Sequence, residues 1–127
     1  MATDFTVSLV NRPGSLVLAA DALARAGINI PGACGYVCEG RGLLHVLAEN
    51  AEKAQRARMA LLDAGLEICA ERHVVLVPVE DRPGSGAAIL RQVADAGVNI
   101  DLLYVTTDGR LVLGGENPAA IRKALGR

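Results

Sequence analysis

Aromatic residues are almost missing from this 127-residue chain, which has one Phe, two Tyr and no Trp. That scarcity leaves no stacking platform for single-stranded nucleic acid. Neither sign of charge is in excess: 13 Lys and Arg oppose 14 Asp and Glu for a net charge of −1, so no basic footprint for nucleic acid is present. Long hydrophobic runs are missing too. Although 51% of residues are hydrophobic, they are scattered between charges, and no run approaches the roughly 18 apolar residues that suggest a membrane span. Residues 1–15 lack the basic and apolar regions of a signal peptide, and three cysteines are an odd, widely spaced set rather than a disulfide framework. The expectation is a cytoplasmic protein in a reducing compartment, with no nucleic-acid and no membrane partner.

Catalytic and metal-binding patterns are equally thin. There is no Gly-rich phosphate loop, no Ser or Cys nucleophile signature and no paired-carboxylate motif. Cys34 and Cys38, four apart on an expected strand, would lie about 13 Å apart at roughly 3.3 Å per residue, too far to share a metal or a disulfide unless the strand breaks around Gly35. His45 and His73 are remote from them in sequence. The cysteines are expected to be buried and apolar, the histidines partly exposed, and no metal or cofactor is expected.

What the chain does contain is itself, twice. Asn11-Arg12-Pro13-Gly14-Ser15 returns as Asp81-Arg82-Pro83-Gly84-Ser85, and Ala26-Gly27-Ile28-Asn29-Ile30 returns as Ala96-Gly97-Val98-Asn99-Ile100. Both blocks are displaced by 70 residues, and laying 5–31 over 75–101 without a gap gives ten identities. A unit of about 70 residues is too long for a solenoid repeat and suits a small domain. Two related domains are expected, at 1–71 and 72–127.

In the first copy Phe5, Val7 and Leu9 alternate with Thr6 and Ser8, the pattern of a strand with one buried face. From Ser15 the spacing turns helical, with Leu16, Ala19, Ala20, Leu23 and Ala24 as the apolar stripe and Gly27 as the stop. Residues 28–38 and 43–48 are β-rich and joined by a turn at Glu39-Gly40-Arg41-Gly42; Asn50 caps a second helix to Ala64, and 66–70 make a short strand. The second copy repeats the order: a strand at 74–79, a helix at 85–96, a hairpin turning at Asp108-Gly109, and a helix opened by Asn117-Pro118. No room remains for its last strand. The fold class expected is α+β, two tandem ferredoxin-like βαββαβ units with the second lacking its final strand.

A strand ending in Asn/Asp-Arg-Pro-Gly, then a helix, then Gly-Ile/Val-Asn-Ile opening the next strand resembles the ACT domain, a small module that binds amino acids. The resemblance spans nearly the whole chain as two ACT-like units. It implies effectors between associated ACT units near the loop into the first helix, hence near Asn11, Arg12, Pro13, Gly14, Ser15 and Leu16, and near Asp81, Arg82, Pro83, Gly84, Ser85 and Gly86.

Chemistry at those positions agrees with such a role. Free N–H groups at a helix start receive a carboxylate, Arg12 or Arg82 could clamp one bidentately, and Ser15 and Ser85 could cap the helix or donate an O–H. Asn29 and Asn99, beside Ile30 and Ile100, offer both donor and acceptor to a free amino acid. Leu16 is replaced by Gly86 and Asn11 by Asp81, so the second loop is more open and more acidic; which copy binds stays open. The leading expectation is a non-enzymatic sensor that binds a free amino acid, pairs as a homodimer and regulates a protein partner. The alternatives are a structural oligomerisation module without ligand and, more weakly, a ferredoxin-like enzyme using an Arg and an Asn.

Overall fold

A computed structural model describes every residue, Met1–Arg127. In chain order the elements are β1 (Ala2–Val10), α1 (Ser15–Arg25), β2 (Ala33–Cys38), β3 (Arg41–Ala48), α2 (Ala51–Asp63), β4 (Glu67–Pro78), α3 (Ser85–Asp95), β5 (Leu102–Val105), β6 (Arg110–Gly114) and α4 (Pro118–Ala124). The chain divides into two compact units, Met1–Arg72 and His73–Arg127. The strands foreseen at 66–70 and 74–79 are one continuous element, β4, because the residues between them keep extended geometry.

In the first unit the strand order is β2-β3-β1-β4. Antiparallel register sets Phe5 opposite Val46, Val7 opposite Leu44 and Leu9 opposite Gly42. One face of that sheet carries Phe5, Val7, Leu9 and Val46, which pack with Leu23 of α1 and Ala54, Ala57 and Leu61 of α2 into a single core. Alternation along β1 therefore foretold the face that meets the helices, but the other face is buried as well: Asp4 lies against His45, and Ser8 accepts from Arg41. The α1 stripe is rotated from expectation: Ser15, Ala19 and Leu23 are buried, whereas Leu16 is 60% exposed. Spacings of three and four residues both occur among the many alanines of α1, so periodicity left its azimuth ambiguous.

The helix ends are specified locally. Asn50 accepts a 2.8 Å hydrogen bond from the Lys53 N–H, as an N-cap does. At the end of α1 the Gly27 N–H reaches the Ala24 carbonyl and the Ile28 N–H the Leu23 carbonyl, a Schellman closure. The β2–β3 turn is tighter than expected: Glu39 and Gly40 alone form it, both with positive φ (50° and 78°), while Gly42 belongs to β3.

The second unit has the order β4-β6-β5 and its own core of Val75, Val77, Val93, Leu111, Leu113 and Ile121. Asn117 caps α4 by accepting from the Ala120 N–H at 3.2 Å, with Pro118 at the first helical position. Gly97 and Val98 close α3 as Gly27 and Ile28 close α1. The last element is α4.

Candidate ligand site

Both Arg-Pro-Gly-Ser segments form one turn. The Ser15 N–H reaches the Arg12 carbonyl and the Ser85 N–H the Arg82 carbonyl, each at 3.3 Å. Proline supplies φ near −65° at the second position, and the third must be left-handed: Gly14 and Gly84 both have φ 90°. Any other residue there would be strained. The same glycines are the N-caps of α1 and α3. Neither serine caps its helix, which corrects the capping role, because each stands one residue inside. Ser15 is buried, and the Ser85 Oγ is buried without a hydrogen-bond partner.

Beside the first loop lies a pocket of about 230 Å³ lined by Leu9, Val10, Asn11, Arg12, Ser15 and Leu16, with Gly35, Tyr36 and Val37 of β2 and Gly42 and Leu43 of β3 completing it. Four of the six residues singled out in this loop line the cavity; Pro13 and Gly14 shape the turn without lining it. The N–H groups of the first turn of α1 are those that a helix leaves without an intrahelical carbonyl. The Tyr36 hydroxyl is engaged elsewhere, 3.4 Å from the His45 Nε2.

Asn29 lies apart from this pocket. It is exposed and lines a separate depression of about 160 Å³ with Glu49, Lys53 and Arg56. The charges there already have partners: Lys53 meets Glu49 at 3.5 Å, and Arg56 meets Glu52 at 3.7 Å and donates to the Ala26 carbonyl at 2.8 Å. Ile30 and Ile100 pack against the two cores. Asn99 is exposed, and its carbonyl faces Gly115, where a Cβ would come within 2.8 Å.

In the second loop Asp81, Arg82, Pro83 and Gly84 are exposed, and the space beside Gly86 is open. Arg82 is tied to Glu80 at 2.9 Å. Register supplies a further contrast. Gly35 pairs with Leu44, which pairs with Val7; Val105 pairs with Leu111, which pairs with Val77. Val105 therefore stands in the second unit where Gly35 stands in the first. Gly35, Val37 and Gly42 were not foreseen as site residues. Glycine inside a strand was the available signal, since it marks a place where something can approach closely.

Other reactive groups are arranged differently from expectation. Cys38 and Cys69 are exposed and Cys34 is half-buried, because β2 is the last strand in its order and the Cys69 side of β4 is open to solvent. His45, expected partly exposed, is buried with its Nδ1 2.8 Å from Asp4 Oδ2 and its ring stacked on Tyr36; His73 is exposed. No three His, Cys, Asp or Glu side chains cluster as metal ligands would. No helix is long and apolar enough to cross a membrane.

No family model and no curated protein matches the sequence. Solved structures do. A protein of Bacteroides thetaiotaomicron superposes with a TM-score of 0.83 at 22% identity, over 98% of this chain and 85% of that one. The regulatory subunits of aspartate kinase from Thermus thermophilus and Thermus flavus superpose with TM-scores of 0.71 and 0.67, each at 22% identity over 98% of this chain and 89% and 90% of theirs. This chain has the ACT-domain fold. The α+β arrangement of six strands and four helices is thus one already met in regulatory subunits. At this identity the likeness concerns the ACT fold.

Proposed function

We propose that this protein is a non-enzymatic sensor built of two tandem ACT-like, ferredoxin-like domains, which binds a free amino acid in the pocket beside Arg12 and passes that state to a protein partner. The observation that carries the reading is the pocket framed by the Arg12–Leu16 turn. Arg12 offers the only charged side chain in its lining and is suited to an α-carboxylate, assisted by the unused N–H groups at the start of α1. Asn11 offers both a carbonyl acceptor to an α-ammonium and an amide donor. The second loop, with Arg82 held by Glu80 and Val105 in place of Gly35, serves as scaffold.

Association of two chains belongs to the same proposal. In the first unit β2 ends the strand order, its residues are largely exposed, and Tyr36 and Val37 are apolar there. Such an edge pairs readily with another strand, and because β2 also lines the pocket, a second copy would cover it. Sedimentation should find a dimer that ligand strengthens.

The test is a thermal-shift screen of the full chain against the twenty amino acids, with calorimetry on each hit. A ligand at 100 times its Kd stabilises by about 2.7 kcal/mol, a shift of several degrees for a chain of this length. A selective shift is expected. If no amino acid shifts the transition, the sensor reading falls and the exposed β2 edge favours the oligomerisation module.

A further inference from the structure

Resting on that reading, we propose that the pocket selects an amino acid with a short branched aliphatic side chain, of the valine, leucine and isoleucine class, and that Gly35 and Leu16 set this choice. The evidence is the composition of the lining. On the helix-bearing side of the sheet, register lays Leu9, Gly42 and Val37 in one row and Val7, Leu44 and Gly35 in the next. Leu9 and Val37 form apolar walls, Leu16 reaches over from α1, and Gly35 leaves the floor open, whereas Gly42 is closely approached by Leu9, whose carbonyl oxygen would stand 3.3 Å from a Cβ there. A Cβ at Gly35 would touch Leu44 Cδ1 at 3.7 Å, Leu16 Cδ2 at 3.8 Å and the Leu43 carbonyl oxygen at 3.8 Å, so two of the three atoms nearest it are methyl groups.

Charge excludes the other classes. No Asp or Glu lines the cavity, so a lysine or arginine side chain would enter without a counter-charge, and burying an unpaired cation is costly. Arg12 is the one cation in the lining, and the α-carboxylate uses it, which leaves an aspartate or glutamate side chain unmatched. Size sets a scale: at about 230 Å³ the cavity is smaller than the roughly 300–1,000 Å³ of sites that take drug-sized ligands, which suits a single amino acid. An apolar pocket discriminates by roughly 10- to 200-fold per methylene, so a preference within the aliphatic class is also readable.

The second unit supplies the natural counter-design. There Val105 stands in place of Gly35 and Gly86 in place of Leu16, so a side chain is present where the first unit has none and the leucine beside the pocket is missing.

The experiment is calorimetric titration of the full chain with valine, leucine, isoleucine, threonine, lysine, aspartate and phenylalanine. The expected result is that one of the first three binds at least tenfold more tightly than each of the last four. If one of those four binds as tightly or better, the assignment of ligand class is overturned while the sensor reading stands. If none of the seven binds, the assignment is overturned, and the twenty-amino-acid screen decides the sensor reading separately. Gly35→Val, copied from the second unit, should weaken the aliphatic ligand at least tenfold with the ligand-free unfolding temperature unchanged within about a degree. Unchanged affinity in that variant overturns the role of Gly35. Gly35→Ala should weaken leucine and isoleucine more than valine, a size dependence that a merely structural role would not produce.

Discussion

Residues 12–15 and 82–85 trace the same turn, with glycines at an identical φ of 90°, and enter helices of 11 residues each. Their surroundings differ. The first turn borders a cavity of about 230 Å³ that Gly35 also lines, whereas the second has its arginine paired with Glu80, and Val105 occupies the matching strand position in its unit. Sequence identity is greatest where the backbone is constrained and breaks down where side chains face the cavity: Leu16 against Gly86, Gly35 against Val105. A repeated segment can keep its turn chemistry in both copies while the side chains beside it diverge.

The largest effects should come from the cores and be alike in both units. Leu61→Ala and Ile121→Ala each empty a fully buried position and should cost about 2–5 kcal/mol, read by denaturant unfolding. A near-zero cost for Ile121→Ala would show that the second core contributes little and break the symmetry at its root. Next come the turn glycines. Gly14→Val and Gly84→Val both force a side chain into left-handed geometry and should each cost about 1–2 kcal/mol of stability, while amino-acid binding is lost in the first alone. Loss of binding in both, or in neither, would contradict the division of labour between the loops. The helix caps should again behave alike: Asn50→Ala and Asn117→Ala remove matching side-chain bonds and should each cost about 1 kcal/mol by thermal unfolding.

The smallest effect separates the hairpins. The Asp108 carboxyl is held below the usual carboxylate range, first by the Thr106 hydroxyl and then by Arg110. A lowered folded-state pKa means a contribution present at neutral pH and lost as pH falls through that lowered value. Asp108 is solvent-exposed, so the effect is slight and screened by salt. The native chain should lose slightly more stability than Asp108→Asn between pH 6 and pH 2, measured by thermal unfolding at low salt. An identical loss in both would remove any role for the carboxylate in this turn.

Much of the architecture is legible in the sequence. The 70-residue offset announced a duplication, the alternation of Phe5, Val7 and Leu9 announced the face of β1 that meets the helices, and Asn50 and Asn117 announced two helix starts. Each signal acts over a few residues: a cap bonds within one turn, and a strand alternates every second position. Legibility stopped where distant segments meet. Asn29 sits four residues past the end of α1 in the same motif as the loop, yet it lines another depression. Leu16 read both as part of the apolar stripe of α1 and as a residue of the ligand loop; it is exposed beside the pocket and not buried in the core, because its azimuth depends on what α1 packs against. His45 read as half-exposed and proved buried against Asp4, a partner 41 residues away.

By itself, then, the sequence determined the duplication, the type of nearly every element and the turns and caps that bound them, since these follow from short-range sterics and hydrogen bonding. The tertiary structure alone decided that Gly35, Val37 and Gly42 complete a pocket with Arg12 and Leu16. That outcome rests on strand register and helix azimuth, and a slip of one residue in register would have turned every one of those strand positions to the other face.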